Sequence, residues 1–528
     1  MTKYLKPIQT MAALLIAVIA MTACSSGDTI IDEPINEPIV KPDTPKTYTM
    51  TVQASKGDAA TTRALSLDGS TLNATWVEGE KVTVYNITRS ADLGGYLEAK
   101  SSGANTTLEG TLSGTIENGD NLKLKFLSPT YGTQDGTLTG SATSIDKVCD
   151  YAEASVVVTA VSGGNITTTA ASFENKQAIV KFTLMKKLDN SNLEIPASTA
   201  LTVNDGTNNY TVTPASATNV LFVAIPATST VNLSTTIGSY TYTYEKTGVT
   251  LTNGKYYAIV VKMARNVDLC SVNADFELQD GDIVTGTLDN NVKISIANDA
   301  TVTLDGVNIN TSTNAGITCA GNANIILVGT NTVITTANGK PAIQAAHNPD
   351  SEFPYSEPEY TLTISGSGSL TATGGENAAG IGSGSSGKCG NITISGGTVK
   401  AYGGSQGAGI GSGNNKATFG NIEISGGEVT AIGGSSAAGI GSGYNANVCG
   451  DITITENIVN VTATKGTVVG DNEKNYCIGK GANTSDIGTI TIDGTTTWTA
   501  GTPTEHLKWG DGENASSTTW TLTPKTTN

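Results

Sequence analysis

The residues that could perform acid–base chemistry lie in the carboxyl-terminal half of this 528-residue chain, and they are few. Glu423 and Glu428 lie close together, and a glycoside hydrolase needs two carboxylates that flank one substrate bond. Thr393 and Thr453 stand one repeat before and after Glu423, so repetition of the sequence does not build a carboxylate pair. A polysaccharide lyase needs a basic residue beside the sugar acid, yet no arginine follows Arg265. The sequence therefore predicts a protein that is not an enzyme, and a polysaccharide lyase is the enzymatic alternative.

Aromatic and amide side chains are better candidates, because saccharides pack on aromatic faces and hydrogen-bond to amides and hydroxyls. One group lies in a proline-containing acidic insertion at residues 347–360, and the other lies at recurring corner loops near an outward-facing tyrosine. The candidate carbohydrate-binding residues are Phe353, Tyr355, Tyr360, Tyr402, Asn414, Asn415, Tyr444 and Asn445. The alternatives are a hydrophobic lid for the insertion and ordinary turns for the corner loops.

The charge balance argues against nucleic acid as a partner. The chain has 30 basic and 47 acidic residues, a net charge of −17, and its arginines are Arg63, Arg89 and Arg265. Phosphate binding needs a clustered basic surface. Charged residues make up only 15% of the chain and 61 residues are glycine, which favours a β-rich protein with many turns.

The first 23 residues have the pattern of an export signal. Lys3 and Lys6 precede an apolar run that is too short to span a bilayer and that ends at small residues before Cys24. This pattern resembles a bacterial lipoprotein signal, and the resemblance implies cleavage before Cys24, acylation of its thiol and a membrane anchor. The alternative is an ordinary secretory signal with an incidental cysteine. Residues 24–47 contain four prolines among acidic residues and are predicted to form an extended tether.

Strand-like alternation of apolar and polar residues follows the tether. Gly, Asn, Asp and Pro interrupt the alternation at intervals that are typical of antiparallel sandwiches. The length of this region predicts two β-sandwiches in series, over residues 48–160 and 161–265.

Several segments of this region resemble the fimbrillin-like family of Gram-negative surface lipoproteins. The matching segments are Thr62-Arg63-Ala64 and residues 75–84, 173–182, 220–226 and 254–260. The resemblance implies two transthyretin-like sandwiches, a place at the cell surface or on fimbriae, and fimbrial subunits as partners. It also implies proteolytic processing after an arginine behind the first strand, where Arg63 stands, and insertion of a strand from a neighbour. The alternative for Arg63 is a solvated residue in a flexible loop.

A 30-residue repeat occupies the carboxyl-terminal half. Residues 390–413 and 420–443 align without gaps, and Ile392, Ile422 and Ile452 recur at the same spacing. Each unit contains three short strands of the forms Ile-x-Ile, Val-x-Ala and Ala-Gly-Ile-Gly, which predicts a right-handed parallel β-helix of about seven coils over residues 270–500. Residues 501–528 contain two tryptophans and are predicted to cap the last coil.

The remaining cysteines are too widely spaced for a disulfide scaffold or a CxxC metal site, so we expect few or no disulfides. Cys389 and Cys449 alternate with Phe419 in one column of the repeat. This alternation predicts that both thiols serve as small apolar core residues.

The repeat resembles a β-helical carbohydrate-binding family of anaerobic bacteria. The resemblance rests on residues 302–309, residues 362–372 and the recurring Ala-Gly-Ile-Gly-Ser-Gly. It implies a polysaccharide or a host or dietary glycan as ligand. Members of that family can use calcium, but the acidic residues here lack the spacing of an EF-hand, so no metal ligand and no other cofactor is assigned. The acidic residues concerned are Asp280, Asp282, Asp305 and Asp451.

These features predict an all-β protein that is lipid-anchored at the outer membrane, exposed at the cell surface and able to bind glycan through its β-helix. Such a protein would act as an adhesin, on the cell surface or at a fimbrial tip. The structural alternative is a fimbrial subunit whose β-helix binds no glycan.

Overall fold

The computed structural model describes residues 46–56, 66–68, 71–73, 75–128, 130–350, 359–455, 457–468, 474–492, 495–499, 502–503 and 518–522. Within these ranges strands form nearly all of the regular structure, and the single α-helix has four residues. The predicted all-β class is confirmed. No helix in the described ranges is long and apolar enough to cross a membrane. Cys24, Arg63, Phe353 and Tyr355 lie outside the described residues, as does the predicted signal at residues 1–23.

The elements fall into an amino-terminal set and a carboxyl-terminal set. The first set is β1 (Thr47–Lys56), β2 (Ser66–Asp68), β3 (Thr71–Asn73), β4 (Lys81–Asn86), β5 (Ala91–Asp92), β6 (Gly94–Gly95), β7 (Leu97–Ala99), β8 (Asn105–Ser113), β9 (Asn121–Phe126), β10 (Thr133–Gln134), α1 (Ile145–Val148), β11 (Ala152–Ser162), β12 (Asn165–Thr168), β13 (Ala171–Asn175), β14 (Ala178–Lys186), β15 (Leu201–Asn204), β16 (Asn209–Val212), β17 (Val220–Ile225), β18 (Thr228–Ile237), β19 (Tyr240–Leu251) and β20 (Tyr256–Asp268). The second set, after a 3₁₀ turn at Leu269–Ser271, is β21 (Phe276–Leu278), β22 (Ile283–Leu288), β23 (Ile294–Ile296), β24 (Ala300–Thr311), β25 (Ile317–Cys319), β26 (Ala323–Val328), β27 (Thr330–Thr335), β28 (Ile343–Gln344), β29 (Thr361–Gly366), β30 (Ser369–Thr373), β31 (Ile381–Gly382), β32 (Asn391–Tyr402), β33 (Ile410–Gly411), β34 (Ile422–Ile432), β35 (Ile440–Gly441), β36 (Val448–Cys449), β37 (Ile452–Ile454), β38 (Asn460–Thr464), β39 (Ile478–Gly479), β40 (Asp486–Ile487), β41 (Ile490–Ile492), β42 (Thr495–Thr499), β43 (Thr502–Pro503) and β44 (Thr519–Leu522).

The first hydrophobic core lies inside a set of strands that closes on itself. β1 pairs antiparallel with β8 on one side and parallel with β12 and β13 on the other. The circuit returns from β13 through β11, β9, β4 and β7 to β8. Tyr48, Met50, Val52 and Ala54 are alternate residues of β1 and are buried in this core, as the period of a strand requires. β1 is therefore an integral strand that is paired along both edges.

The chain does not pass from the first sandwich to the second at residue 160, where the sequence predicted the boundary. That residue falls inside β11, which pairs with β9 in the first core. By contrast, β10 pairs with β16, and Tyr131, Ile145 and Cys149 pack in the second core. The chain thus visits the second core before it returns to complete the first. Strand alternation does not reveal this crossing, because both cores impose the same period of two.

The second core lies between two layers of strands. β14 pairs antiparallel with β17 and parallel with β20 in one layer, while β16, β15, β18 and β19 follow one another in the other layer. Val180, Phe182 and Leu184 of β14 are fully buried between them.

β20 belongs to both the second sandwich and the repeat region. Its residues Tyr256–Met263 pair with β14, and its last three residues pair with β22, the first long strand of the repeat region. The predicted ranges left residues 266–269 between two domains. The structure instead continues the sheet of the sandwich directly into the repeat region.

The repeat region is a parallel β-helix with three ladders, which confirms the predicted architecture. The first ladder stacks β22, β24, β26, β29, β32, β34, β37 and β41. The second ladder stacks the later part of β24 with β27, β30, the later parts of β32 and β34, and β38. The third ladder stacks β21, β23, β25, β28, β31, β33, β35 and β39.

The 30-residue period corresponds to one coil. Ile392, Ile422 and Ile452 are register partners in the first ladder and are at most 1% exposed. Gly397 and Gly427 form the bend between the first and second ladders with φ of 80° and 78°. A Cβ on Gly427 would lie 2.5 Å from the carbonyl oxygen of Gly397, so this bend requires glycine.

The cysteine column lies in the core, as its alternation with phenylalanine predicted. Cys389, Phe419 and Cys449 are at most 1% exposed, and burial raises the pKa of the Cys449 thiol to about 12. Cys389 and Cys449 are free thiols. Both thiols therefore act as apolar packing groups at neutral pH.

The last described strand ends the second ladder. β44 pairs with β38 in the antiparallel direction, opposite to the other strands of that ladder. Trp520 and Leu522 point inward and are 2% and 0% exposed. This strand covers an edge that would otherwise offer unpaired backbone groups to another chain.

Candidate carbohydrate-binding surface

The outward side of the second ladder carries two adjacent columns of side chains. They lie between inward residues such as Ala401 and Ala431, which are fully buried. The columns are Thr332, Thr371, Lys400, Thr430 and Thr462, and Ile334, Thr373, Tyr402, Ile432 and Thr464. We call these ten residues the ladder face. Successive coils repeat at the spacing of paired strands, about 4.8 Å.

Tyr402 lies at the middle of the ladder face. Its register partners are Thr373 and Ile432, and its side chain is half-buried. Lys400, two residues earlier on the same side of the strand, is exposed. An aromatic ring, an ammonium group and adjacent hydroxyls are groups that contact saccharides.

The sequence predicted Tyr402 but missed Lys400 and the threonines around it. The signal that would have found them is the middle position of each Val-x-Ala strand. Because neighbouring side chains of a strand point to opposite sides, the buried valine and alanine place that middle residue outward.

Asn414 takes part in the packing of the corner loops. Its amide Nδ2 donates to Oδ1 of Asn377 at 3.1 Å and to Oε1 of Gln406 at 2.8 Å. Its Oδ1 accepts from the hydroxyl of Ser385 at 2.6 Å. Both donor positions of this amide are occupied within the protein, which favours the alternative of turn chemistry for Asn414.

Asn415 and Asn445 occupy equivalent corners of successive coils. Both have left-handed backbone conformations, with φ of 55° and 52°, which asparagine tolerates better than most residues. The backbone N–H of Asn415 donates to the carbonyl of Tyr444, and its side chain donates to the hydroxyl of Ser386 at 3.0 Å. Both asparagines are exposed, and their conformations account for their presence without a ligand.

Tyr444 packs along the corner column. Its ring is half-buried, and its hydroxyl accepts from Nδ2 of Asn483 in the next coil at 3.2 Å. The structure therefore places Tyr444 near Asn415 and Asn445, in a column that its own turn contacts hold together.

The base of the predicted binding insertion is held by a histidine and a glutamate. Nδ1 of His347 lies 2.9 Å from Oε1 of Glu359, and the other oxygen of Glu359 accepts from the backbone N–H of Asn348. The side chain of Glu359 is only 2% exposed. Tyr360 follows directly, is half-buried, and accepts from the N–H of Asn391 through its carbonyl. These contacts fix both ends of the insertion against the β-helix.

The two glutamates of the regular coils stand apart from other carboxylates in the ladders. Glu423 pairs in register with Thr393 and Thr453, as the repeat spacing predicted. Glu428 pairs with Thr398 and Asn460. Stacking therefore builds no carboxylate pair at these positions.

Acidic residues near the β-helix are engaged in backbone contacts. One oxygen of Asp280 accepts from the N–H of Thr301 at 2.8 Å, and one oxygen of Asp451 accepts from the N–H of Thr489 at 2.6 Å. Within the described ranges no group of three or more His, Cys, Asp or Glu residues could hold a metal ion. Binding of calcium stays a prediction.

Three coils of the ladder face can be compared with known repeats. These coils comprise residues 362–385, 392–414 and 422–444. All three match a β-helix repeat family. Tyr402, Asn414 and Tyr444 lie within the β-helix repeats, and Asn415 and Asn445 follow their last residues. No curated protein matches the chain.

Solved structures with similarity to the chain include fimbrial proteins. A fimbrial protein from Bacteroides ovatus is 10% identical, with 42% of this chain and 49% of that protein covered and a TM-score of 0.23. A fimbrial assembly protein from Parabacteroides distasonis is 15% identical, with 40% and 90% covered and a TM-score of 0.22. The chain thus spans about half the length of the first of these proteins. The β-helix repeat that the sequence predicted is confirmed by the family match, and the resemblance to fimbrial proteins stays a prediction.

Proposed function

We propose that this chain is an adhesin-like protein of the bacterial cell surface that binds carbohydrate through the ladder face. The observation that carries the proposal is the continuity of that face, in which five successive coils present hydroxyls, Tyr402 and Lys400 in two columns. An extended polysaccharide can contact several coils at once. Contacts that are weak individually then add through a high effective concentration.

The lipid anchor is part of the proposal. Cys24 is the acylated residue, and residues 24–47 hold the folded part away from the outer membrane. The variant Cys24→Ala should appear in the soluble fraction and should incorporate no labelled palmitate, because the preceding apolar run is too short to hold the chain in a bilayer. Palmitate labelling that persists in this variant would contradict the anchor.

Processing at Arg63 would place the protein at a fimbrial tip. Arg63 lies seven residues after the end of β1, and loss of β1 would open the circuit between β8 and β13 to a strand from a neighbour. β44 already pairs with β38, so this strand is not available for donation. Acceptance without donation supports a tip rather than a shaft position.

The second candidate is a structural fimbrial subunit without glycan binding. Immunogold labelling separates the two positions, since a tip protein labels filament ends and a shaft protein labels filaments at regular intervals. Catalysis is not part of the proposal, because Glu423 has threonines as its register partners and no arginine follows Arg265.

A glycan array tests the proposed binding. The probe is the secreted chain with Cys24→Ala, applied with and without calcium. We expect Tyr402→Ala and Lys400→Ala to weaken the binding of long polysaccharides at least tenfold, while Thr393→Ala, which alters the outward side of the first ladder, leaves that binding unchanged. An array without any bound polysaccharide, or polysaccharide binding that survives Tyr402→Ala, would contradict the proposal. Tyr355→Ala tests the insertion separately.

A further inference from the structure

The sheet forks at the junction between the second sandwich and the β-helix. β19 and β20 pair only through Thr241–Thr243 and Ala264–Asn266. Beyond these residues β19 follows β18, whereas β20 follows β14 in the other layer. The two strands therefore diverge, and a cleft of about 800 Å³ opens beside them and the first strands of the β-helix. We call it the fork cleft.

Hydroxyl and amide groups line part of the fork cleft. They belong to Thr241, Thr243, Asn266 and Thr285. Nδ2 of Asn266 donates to the hydroxyl of Thr243 at 3.0 Å, across the point where the strands separate. These groups are held on paired strands rather than on loops, which favours a preformed site.

Charged side chains of both signs also reach the fork cleft. They are Lys187, Lys262, Glu245, Asp268 and Asp305. The ion pairs found among the described residues involve none of the five. Lys262 and Asp268 lie on one strand, about 20 Å apart at about 3.3 Å per residue, which is too far for direct pairing. The cleft is thus long, and its charged groups can hydrogen-bond to a ligand.

This lining selects a class of ligand. Three carboxylates in the cleft would repel a phosphate or an acidic polymer. A bound metal ion could offset this repulsion, but the described residues contain no cluster that could hold one. Sugar hydroxyls donate to carboxylates and accept from ammonium groups, and hydrogen bonds to charged groups are about twice as strong as those between neutral groups. A neutral sugar can therefore form hydrogen bonds with both the carboxylates and the ammonium groups of the cleft.

We propose that the fork cleft is a second carbohydrate site, which binds a short neutral oligosaccharide. It is separate from the ladder face and does not depend on whether that face binds glycan. The ion pair between Arg265 and Asp282 holds β20 against the start of the β-helix at this junction. The cleft therefore loses little conformational freedom when a ligand binds.

Calorimetry on the soluble chain with Cys24→Ala tests this site. The probes are cellotetraose, maltotetraose and mannotetraose, with tetragalacturonate as the acidic comparison. Thr285→Phe places a large ring in the cleft lining, and Asp305→Ala removes an exposed carboxylate without touching the core. Thr363→Phe is the matched control, because Thr363 also lies on the outward side of the first ladder but outside the cleft lining.

We expect at least one neutral tetrasaccharide to bind, with affinity at least tenfold lower in both cleft variants and unchanged in Thr363→Phe and Tyr402→Ala. The site would be overturned by absence of binding at millimolar concentrations, by tighter binding of tetragalacturonate, or by equal loss in the control. Loss in Tyr402→Ala alone would assign the binding to the ladder face and overturn the fork cleft. Melting curves of each variant show whether Asp305→Ala remains folded when Thr285→Phe does not.

Discussion

Arg265 donates two hydrogen bonds to the carboxylate of Asp282, from Nε to Oδ1 at 2.8 Å and from Nη2 to Oδ2 at 2.6 Å. The guanidinium also lies 4.9 Å from the ring centre of Tyr240 and 5.6 Å from that of Phe276. Asp282, whose side chain is 1% exposed, accepts a further hydrogen bond from the N–H of Gln279. Hydrogen bonding to Asp282 raises the pKa of Arg265. A partly buried ion pair therefore joins the last sandwich strand to the start of the β-helix.

Removal of the arginine should destabilise this junction. Arg265→Ala leaves the carboxylate of Asp282 buried without its cation, and such changes cost about 3–5 kcal/mol. Hydrogen exchange across β20 and β22 should accelerate accordingly. The control is Lys176→Ala, which breaks the exposed pair with Glu174 and should cost less than about 1 kcal/mol. Equal exchange in the two variants would show that the ion pair does not hold the junction.

A charge inside the first ladder should unfold the β-helix at lower temperature. Ile422→Asp places a carboxylate between Ile392 and Ile452, and its desolvation costs several kcal/mol. Thr430→Asp introduces the same side chain on the outward side of the same strand and should change the melting temperature little. Calorimetry of both variants measures the difference, and similar melting temperatures would mean that Ile422 does not face the core.

The first sandwich should lose stability in acid through Asp120. Burial alone would raise the pKa of this carboxyl, but hydrogen bonds from Arg89 and Asn86 outweigh burial and lower it below its ordinary value of 3.8. A lowered pKa stabilises the folded state above the unfolded pKa, and this contribution disappears as the pH falls through the folded pKa. Urea unfolding between pH 7 and pH 2 should show a shallower decline for Asp120→Asn than for the natural chain at the acid end. Parallel curves would exclude Asp120 as a source of the acid sensitivity.

The cap strand should protect the last coils. Trp520→Ala removes a ring that is 2% exposed in the core, and such truncations cost about 3–5 kcal/mol. Protease cleavage and hydrogen exchange at β38 should increase, while exchange at β14 in the sandwich should not change. Thr521→Ala, on the outward side of β44, is the matched control. An unchanged β38 in Trp520→Ala would contradict a capping role.

The sequence was most informative where the structure repeats. Ile392 and Ile422 recur at the period of one coil, and each coil meets the same neighbours, so their burial and the side of the strand on which Tyr402 stands could be predicted. The crossing of residues 131–151 into the second core could not, because its signals are single pairings such as Thr133 with Thr211.

In the candidate sites, too, some features could be predicted from the sequence and others could not. The position of Tyr402 follows from strand alternation, whereas the contacts of Asn414 with Asn377 and Gln406 depend on how three loops meet in space. The fork cleft was not predicted, because Thr241 and Thr285 are far apart in sequence and line one cleft only in the folded chain.

The shared strand β20 also fixes the orientation of the β-helix relative to the second sandwich. Since the same strand is hydrogen-bonded to β14 and to β22, the β-helix cannot swivel about a flexible linker as two tethered domains would. The ladder face therefore keeps one orientation relative to β14 and the second sandwich. Copies held through that sandwich would display their ladder faces with a common orientation, and a surface carrying many of them would offer an aligned array to a long polymer.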